Sequence, residues 1–174
     1  MTLPISPSQT IGPFSHEAWR WACAATDAIA AGPDTISITG IIRDGAGVPI
    51  DDAMIEAWTP ASTAAEATHA LPGFRRTPSD MVGRFHFTLT RPAADVSGEP
   101  AMFVTVFARG LVLHQFSAVF LDDDDDAGLA SSEILQQVPQ ERRATLIARK
   151  SGPAAYEWDI HMQGENETVF FDYA

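Results

Sequence analysis

The stretch Arg84 to Thr90, RFHFTLT, sets Phe85, Phe87 and Leu89 on one side of an extended chain and His86 and Thr88 on the other. That period of two is the pattern of a strand with one face in a core and one in water. Thr35 to Ile42, TISITGII, repeats it with Ile36, Ile38 and Gly40 before ending on Ile41 and Ile42. Asp44-Gly45 and Gly47 then supply a turn and Pro49 closes it. AMIEAW, Ala53 to Trp58, is expected to return as the second strand of a hairpin. Two longer apolar strands are expected over Met102 to Ala108 and Val112 to Leu121, parted at Arg109-Gly110. Tyr156 to Met162 and Thr168 to Phe171 supply two more, joined by a turn at Gln163-Gly164. Only Glu133 to Lys150 reads as partly helical, and Pro139 breaks it. About seven short strands separated by turn signals specify an all-β fold, an antiparallel β-sandwich with short helices.

The opening 34 residues have a different character. Pro4, Pro7, Gly12 and Pro13 keep the first segment extended and turn-rich. Ser15 is placed to cap a short helix over His16 to Ala31, which Gly32-Pro33 ends. The expected organisation is one domain over residues 1–174, with 1–34 as an N-terminal arm and short helix.

Composition excludes several classes of function. Of 174 residues, 45% are hydrophobic and 20% charged, enough apolar surface for a core and too much for disorder. No apolar run reaches the roughly 18 residues of a membrane-spanning helix. With 23 acidic against 11 basic residues the net charge is −12, which repels a phosphate backbone. One cysteine, Cys23, permits neither an internal disulfide nor a cysteine-based zinc site. The start, MTLPISPSQTIGPF, has no basic or apolar region of a secretory signal, so a cytoplasmic location is expected.

Catalytic motifs are absent. The five histidines, His16, His69, His86, His114 and His161, all lie more than ten residues apart, and the tyrosines are Tyr156 and Tyr173 alone. There is no G-x-S-x-G elbow, phosphate loop or G-x-G-x-x-G fingerprint. The run Asp122 to Asp126 lacks the alternating ligands and glycine of an EF-hand, and is expected to be a solvated acidic loop without a metal role. Thr59 to Leu71, TPASTAAEATHAL, reads as a surface loop. Arg109, at the end of an apolar strand, suits either a ligand carboxylate or a structural pairing with one of the acids. Composition alone favours the structural pairing.

Several segments together resemble one family. They are SPSQTIGPF, ITGIIRDGAGVPIDDAMIEAW, GFRRTPSDMVGRFHFTLTRP, VFARGLVLHQFSAVFLDD, VPQERRATLIA and QGENETVFFD, spanning Ser6 to Asp172. The chain is similar to the alpha chains of the intradiol ring-cleavage dioxygenases, hetero-oligomers of αβ units. The resemblance implies a β-sandwich and the O2-dependent opening of protocatechuate between its hydroxyls to 3-carboxy-cis,cis-muconate, a step of aromatic catabolism. In that family Fe(III) is held by two tyrosines and two histidines, a donor set that suits ferric iron. The family's His-x-His falls on Ala101 and Phe103 of this sequence, or, one residue along, on Met102 and Val104. No tyrosine precedes Tyr156. The implied role is therefore a subunit with no catalytic or metal ligand of its own, completing the substrate pocket of an iron-bearing beta chain. The implied substrate-binding residues are Thr10, Gly12, Pro13 and Phe14 of the N-terminal loop, and Arg109 of FARG. Phe14 stands where some relatives carry tyrosine, so a hydroxyl contact from that position is missing. Two other readings stay open at this stage: a transthyretin-like module that binds a ligand or partner without chemistry, and a self-sufficient homodimeric dioxygenase, which the missing ligands count against.

Overall fold

A computed structural model describes residues 23–24, 26, 32, 34–60, 66–67, 69, 71–91, 98–124 and 126–172. Nine strands occur among them: β1 Thr35–Arg43, β2 Met54–Trp58, β3 Phe74–Pro78, β4 Arg84–Thr90, β5 Met102–Phe107, β6 Gln115–Leu121, β7 Ile147–Gly152, β8 Ala155–Glu157 and β9 Ile160–His161. Two short helices, α1 Asp126–Ser131 and α2 Glu133–Gln136, and a 3-10 segment over Gln140–Leu146 fill the connection from β6 to β7. The strands run in the order β3-β2-β5-β6-β7-β8-β1-β4, with β9 also paired to β1. The half β3-β2-β5-β6 is wholly antiparallel. The other half is mixed, because β8 and β9 both run parallel to β1. A short parallel ladder between β6 and β7, Phe120 beside Ile147 and Leu121 beside Ala148, joins the halves.

The alternation legible in the sequence is what packs the halves together. Ile36, Ile38 and Ile42 of β1 and Phe85, Phe87 and Leu89 of β4 enter the same core as Ile55 and Ala57 of β2 and Val104 and Val106 of β5. Burying each large side chain contributes about 1.5–3 kcal/mol. Strand β6 is covered on both faces, so its run reads as continuously apolar. Val119 and Leu121 face the main core, while Ala118 and Phe120 meet Leu135, Val138 and Leu146 beneath the helical connection. Gly40 is required where β1 crosses Trp158: a Cβ there would lie 1.8 Å from the Trp158 carbonyl oxygen.

Strands β3 and β4 close the ends of this order through side chains. Arg75 donates from Nε to the Thr88 carbonyl (3.0 Å), from Nη1 to the Phe74 carbonyl (2.7 Å) and from Nη2 to Glu66 Oε1 (2.7 Å). Glu66 also accepts from the Gly73 N–H (2.9 Å) and the Thr90 hydroxyl (3.0 Å). Both side chains are buried, at 1% and 3% exposure for Glu66 and Arg75. Burial alone would push the Glu66 carboxyl up, but the Gly73 N–H and the Arg75 guanidinium outweigh it and hold it below the usual range.

Several expectations need correction. The turn after β1 forms, with Asp44 Oδ1 accepting from the Ala46 and Val48 N–H groups, but only Arg43 and Pro49 pair across it. Strand β2 crosses to the other half and pairs with β3 and β5, where Ile55 and Ala57 share a core with Ile36 and Ile38 of β1. Val112 and Leu113 are exposed loop residues ahead of β6. Residues 147–150 are strand rather than helix, and Tyr156 to Met162 divides into β8 and β9. Thr168 to Phe171 makes only an isolated bridge, Phe171 with Phe116. Thr59 to Leu71 is not simply a surface loop, since Glu66 within it is buried. The helix expected over His16 to Ala31 lies mostly outside the described residues. Cys23, Ala24 and Thr26 of it are helical, and Thr26 Oγ1 accepts from the Arg76 N–H of β3 (3.1 Å).

Candidate substrate-facing site

Strand β5 ends at Phe107, and the chain reverses over Ala108 to Leu111, where the Leu111 N–H reaches the Ala108 carbonyl (3.2 Å). Gly110 takes φ +92° at the third position, the backbone state that a type II turn reserves for glycine. Arg109, the residue before it, is thereby thrown outward, and its side chain is 65% exposed. Register fixes what it meets. Met54 pairs with both Pro78 and Phe107, so the approach to β2, the β3–β4 turn and the β5–β6 turn share one end of the sandwich. The approach to β2 is held there by two reciprocal bonds: the Ala53 N–H donates to Ser79 Oγ and the Ser79 N–H to the Ala53 carbonyl, each 2.9 Å.

Asp52 therefore stands beside Arg109, its Oδ2 3.0 Å from Arg109 Nε and its side chain 14% exposed. That oxygen is buried and accepts no aligned hydrogen bond, so an ion pair at Nε holds the guanidinium beside Asp52. Among the described residues neither Nη group of Arg109 has a hydrogen-bond partner. Val112 and Leu113, at 63% and 61% exposure, continue the same turn. Thr10, Gly12, Pro13 and Phe14, the other expected substrate-binding residues, lie outside the described residues.

The strand expected to lack iron ligands is filled with carbon. Ala101, Met102 and Val104 are buried in the core, and Phe103 stacks on Phe116 at 5.6 Å between centroids. Among the described residues no three His, Cys, Asp or Glu side chains converge as a metal site would require. The side chains of Ala101, Met102, Phe103 and Val104 offer iron no donor. A cleft of about 410 Å³ lined by Arg142, Arg149, Trp158, Asp159, His161 and Glu165 mixes both signs of charge.

Asp122 and Asp123 are exposed, as a solvated loop requires, but Asp122, Asp123 and Asp124 also make bonds that the expectation did not include. Asp122 Oδ2 accepts from the Lys150 N–H (2.8 Å). Asp123 receives Arg91 Nη2 (2.9 Å), Lys150 Nζ (2.6 Å) and the Tyr156 hydroxyl (2.9 Å). Asp124 accepts from the Leu121 N–H (3.0 Å) and Arg91 Nη2 (3.2 Å). Burial pushes Asp123 up, but its bonds from Arg91, Lys150 and Tyr156 outweigh that and hold it well below the usual carboxylate range. Burial and the bond to Asp123 push the Tyr156 phenol up to about 12. Asp122, Asp123 and Asp124 thus tie the end of β6 to β7, to β8 and to Arg91, which follows β4. Sequence reasoning missed this cluster and the Glu66–Arg75 pair, and offered Arg109 an acid without naming Asp52, because only strand register brings such distant residues together.

Comparison with known proteins bears on the family and the fold. No family model matches the chain. The chain is 35% identical to the protocatechuate 3,4-dioxygenase alpha chain of Burkholderia cepacia, covering 98% of both. It is 32% identical to the alpha chain of Pseudomonas putida, again over 98% of each. This chain belongs to the protocatechuate 3,4-dioxygenase alpha-chain family. It is also 25% identical to the beta chain of the Burkholderia cepacia enzyme, over 95% of this chain and 78% of that one. The fold matches a dioxygenase domain from Streptomyces sp. SirexAA-E, with a TM-score of 0.57 at 11% identity, over 81% of this chain and 86% of that one. Members of this alpha-chain family are subunits of intradiol ring-cleaving enzymes, so the match along nearly the whole chain favours an enzyme subunit over a free-standing binding module.

Proposed function

We propose that this chain is the alpha subunit of a protocatechuate 3,4-dioxygenase and completes the substrate pocket of an iron-bearing beta chain. The observation that carries the reading is Arg109: exposed at one end of the sandwich, held at its Nε corner, and flanked by exposed Val112 and Leu113. An arginine at the rim of a partner's pocket can meet the carboxylate that distinguishes protocatechuate from catechol, while apolar neighbours suit a protein–protein contact. Fe(III) belongs to the beta chain in this reading. The residues at this chain's corresponding positions, Ala101, Met102, Phe103 and Val104, offer it no donor. The proposal extends to Thr10, Gly12, Pro13 and Phe14, which lie outside the described residues. Small or ring-closed residues such as Gly12 and Pro13 allow close approach to a flat aromatic ring. No helix among the described residues is long and apolar enough to cross a membrane, and a cytoplasmic location accompanies the proposal.

The test is to purify the chain alone and with its beta chain, each supplied with ferric iron. Alone it is expected to bind no iron and to leave protocatechuate intact. Together the two chains are expected to show a tyrosinate-to-iron band in the visible and to open the ring. A coloured, active preparation of this chain by itself would reject the reading.

A further inference from the structure

We infer that Asp52 is a positioning residue for Arg109, aiming its guanidinium so that the fork of two Nη groups meets the carboxylate of a carboxylated catechol. The inference rests on the proposed role of Arg109 at the pocket rim. Arg109 sits at the corner of a turn with 65% of its side chain in solvent, and a long side chain so placed samples many rotamers. Holding it in one geometry costs conformational entropy. Asp52 limits that freedom from one side. It reaches Nε, the corner nearest the chain, at 3.0 Å, and so leaves the Nη1–Nη2 edge open for a bidentate pair.

Asp52 is itself well anchored. It precedes Ala53, whose backbone is clamped to Ser79 by two 2.9 Å hydrogen bonds, and β2 begins two residues later, paired to β5 opposite Phe107. Its Oδ2 is buried with no aligned hydrogen bond of its own, an arrangement that stability alone does not favour. The pair is also neutral in sum. With its charge largely cancelled by Asp52, Arg109 cannot attract anions strongly through a long-range field. Recognition then depends on placing two Nη donors against a planar carboxylate, which discriminates against small inorganic anions.

The two effects of Asp52 have opposite signs, so its removal gives a decisive reading. Asp52→Asn is nearly isosteric, frees the field of Arg109 and removes its tether. In the αβ complex it is expected to raise KM for protocatechuate roughly three- to tenfold, to leave KM for catechol unchanged, and to steepen the dependence of protocatechuate KM on salt. Asp52→Glu keeps the charge and is expected to recover part of the loss. Placed on Arg109→Ala, Asp52→Asn is expected to add nothing, since the residue acts through the guanidinium. An unchanged or lowered protocatechuate KM in Asp52→Asn would overturn the inference. Equal changes for both catechols with a lowered melting temperature would overturn it too, by making Asp52 a purely structural residue. If Arg109→Ala itself leaves the preference between the two catechols intact, the reading of Arg109 fails first and the role of Asp52 falls with it. A failure of Asp52→Asn beside a normal effect of Arg109→Ala isolates the error to Asp52.

Discussion

Arg75→Met removes the side chain that fastens β3 to β4, and the structure allows its cost to be worked out. Three hydrogen bonds disappear, to the Thr88 and Phe74 carbonyls and to Glu66. Glu66 keeps the Gly73 N–H and the Thr90 hydroxyl, but its carboxylate, 1% exposed, no longer has a counter-charge. Breaking a buried pair from one side costs about 3–5 kcal/mol. At about 2–4 °C per kcal/mol for a chain of this size, the melting temperature should fall by roughly 6–20 °C. The pH dependence gives a second reading. In the parent, Glu66 is held below its usual value, so its stabilisation is present above the usual carboxylate range and declines as pH falls through the depressed value. Without Arg75 the Glu66 carboxyl loses the hydrogen bond and charge of the guanidinium and rises from its value in the parent, so the variant loses less stability than the parent on acidification. The gap between the melts should therefore narrow between pH 7 and pH 4. A loss below 3 °C, or a gap that stays constant with pH, would refute the reasoning.

Further outcomes follow from the packing. Gly40→Ala drives a Cβ to within 1.8 Å of the Trp158 carbonyl, so the chain should fail to accumulate in soluble form, whereas Gly47→Ala meets nothing within 4 Å and should fold at a cost of about 1–2 kcal/mol for its φ of +79°. Tyr156 should ionise near 12 in an ultraviolet titration. Its raised value means that its contribution to stability is complete below the ordinary phenol value near 10 and is lost as pH rises toward 12. Tyr156→Phe should remove that step and lower stability by about 1–3 kcal/mol, because Asp123 and Arg91 are each deprived of a hydrogen bond.

How much of this was legible in the sequence depended on whether the signal was local. The alternation of Phe85, Phe87 and Leu89, and of Ile36 and Ile38, is carried by neighbouring residues, and both strands lie where the pattern put them. Partners were not legible. The turn at Asp44 to Val48 has the chemistry of a hairpin, yet β2 pairs elsewhere, because which strand covers Ile55 and Ala57 is settled by the whole core. The same limit hid Asp52 from Arg109 and Glu66 from Arg75, pairs whose closeness arises from strand order. Asp122 to Asp126 misled for a related reason: five like charges in a row read as solvated, and nothing local shows that Arg91, Lys150 and Tyr156 converge on them. The resemblance to alpha chains, in contrast, rested on SQTIGPF, FARG and QGENETVFFD, short motifs readable without the fold, and the relatives bear it out.

The most direct test of the account is Arg109→Ala in the αβ complex, with kcat/KM measured for protocatechuate and for catechol beside iron content and a thermal melt. Removing a charge-assisted hydrogen bond from a partly enclosed pocket costs about 1.5–3 kcal/mol, roughly ten- to a hundredfold in kcat/KM. That decrease is expected for protocatechuate, with little change for catechol and with iron content and colour equal to the parent. Arg109→Lys should recover only part, since a point charge cannot reproduce the planar fork. Equal decreases for both catechols with a lowered melting temperature would contradict it, and would show that Arg109 serves the fold through Asp52 and not the substrate.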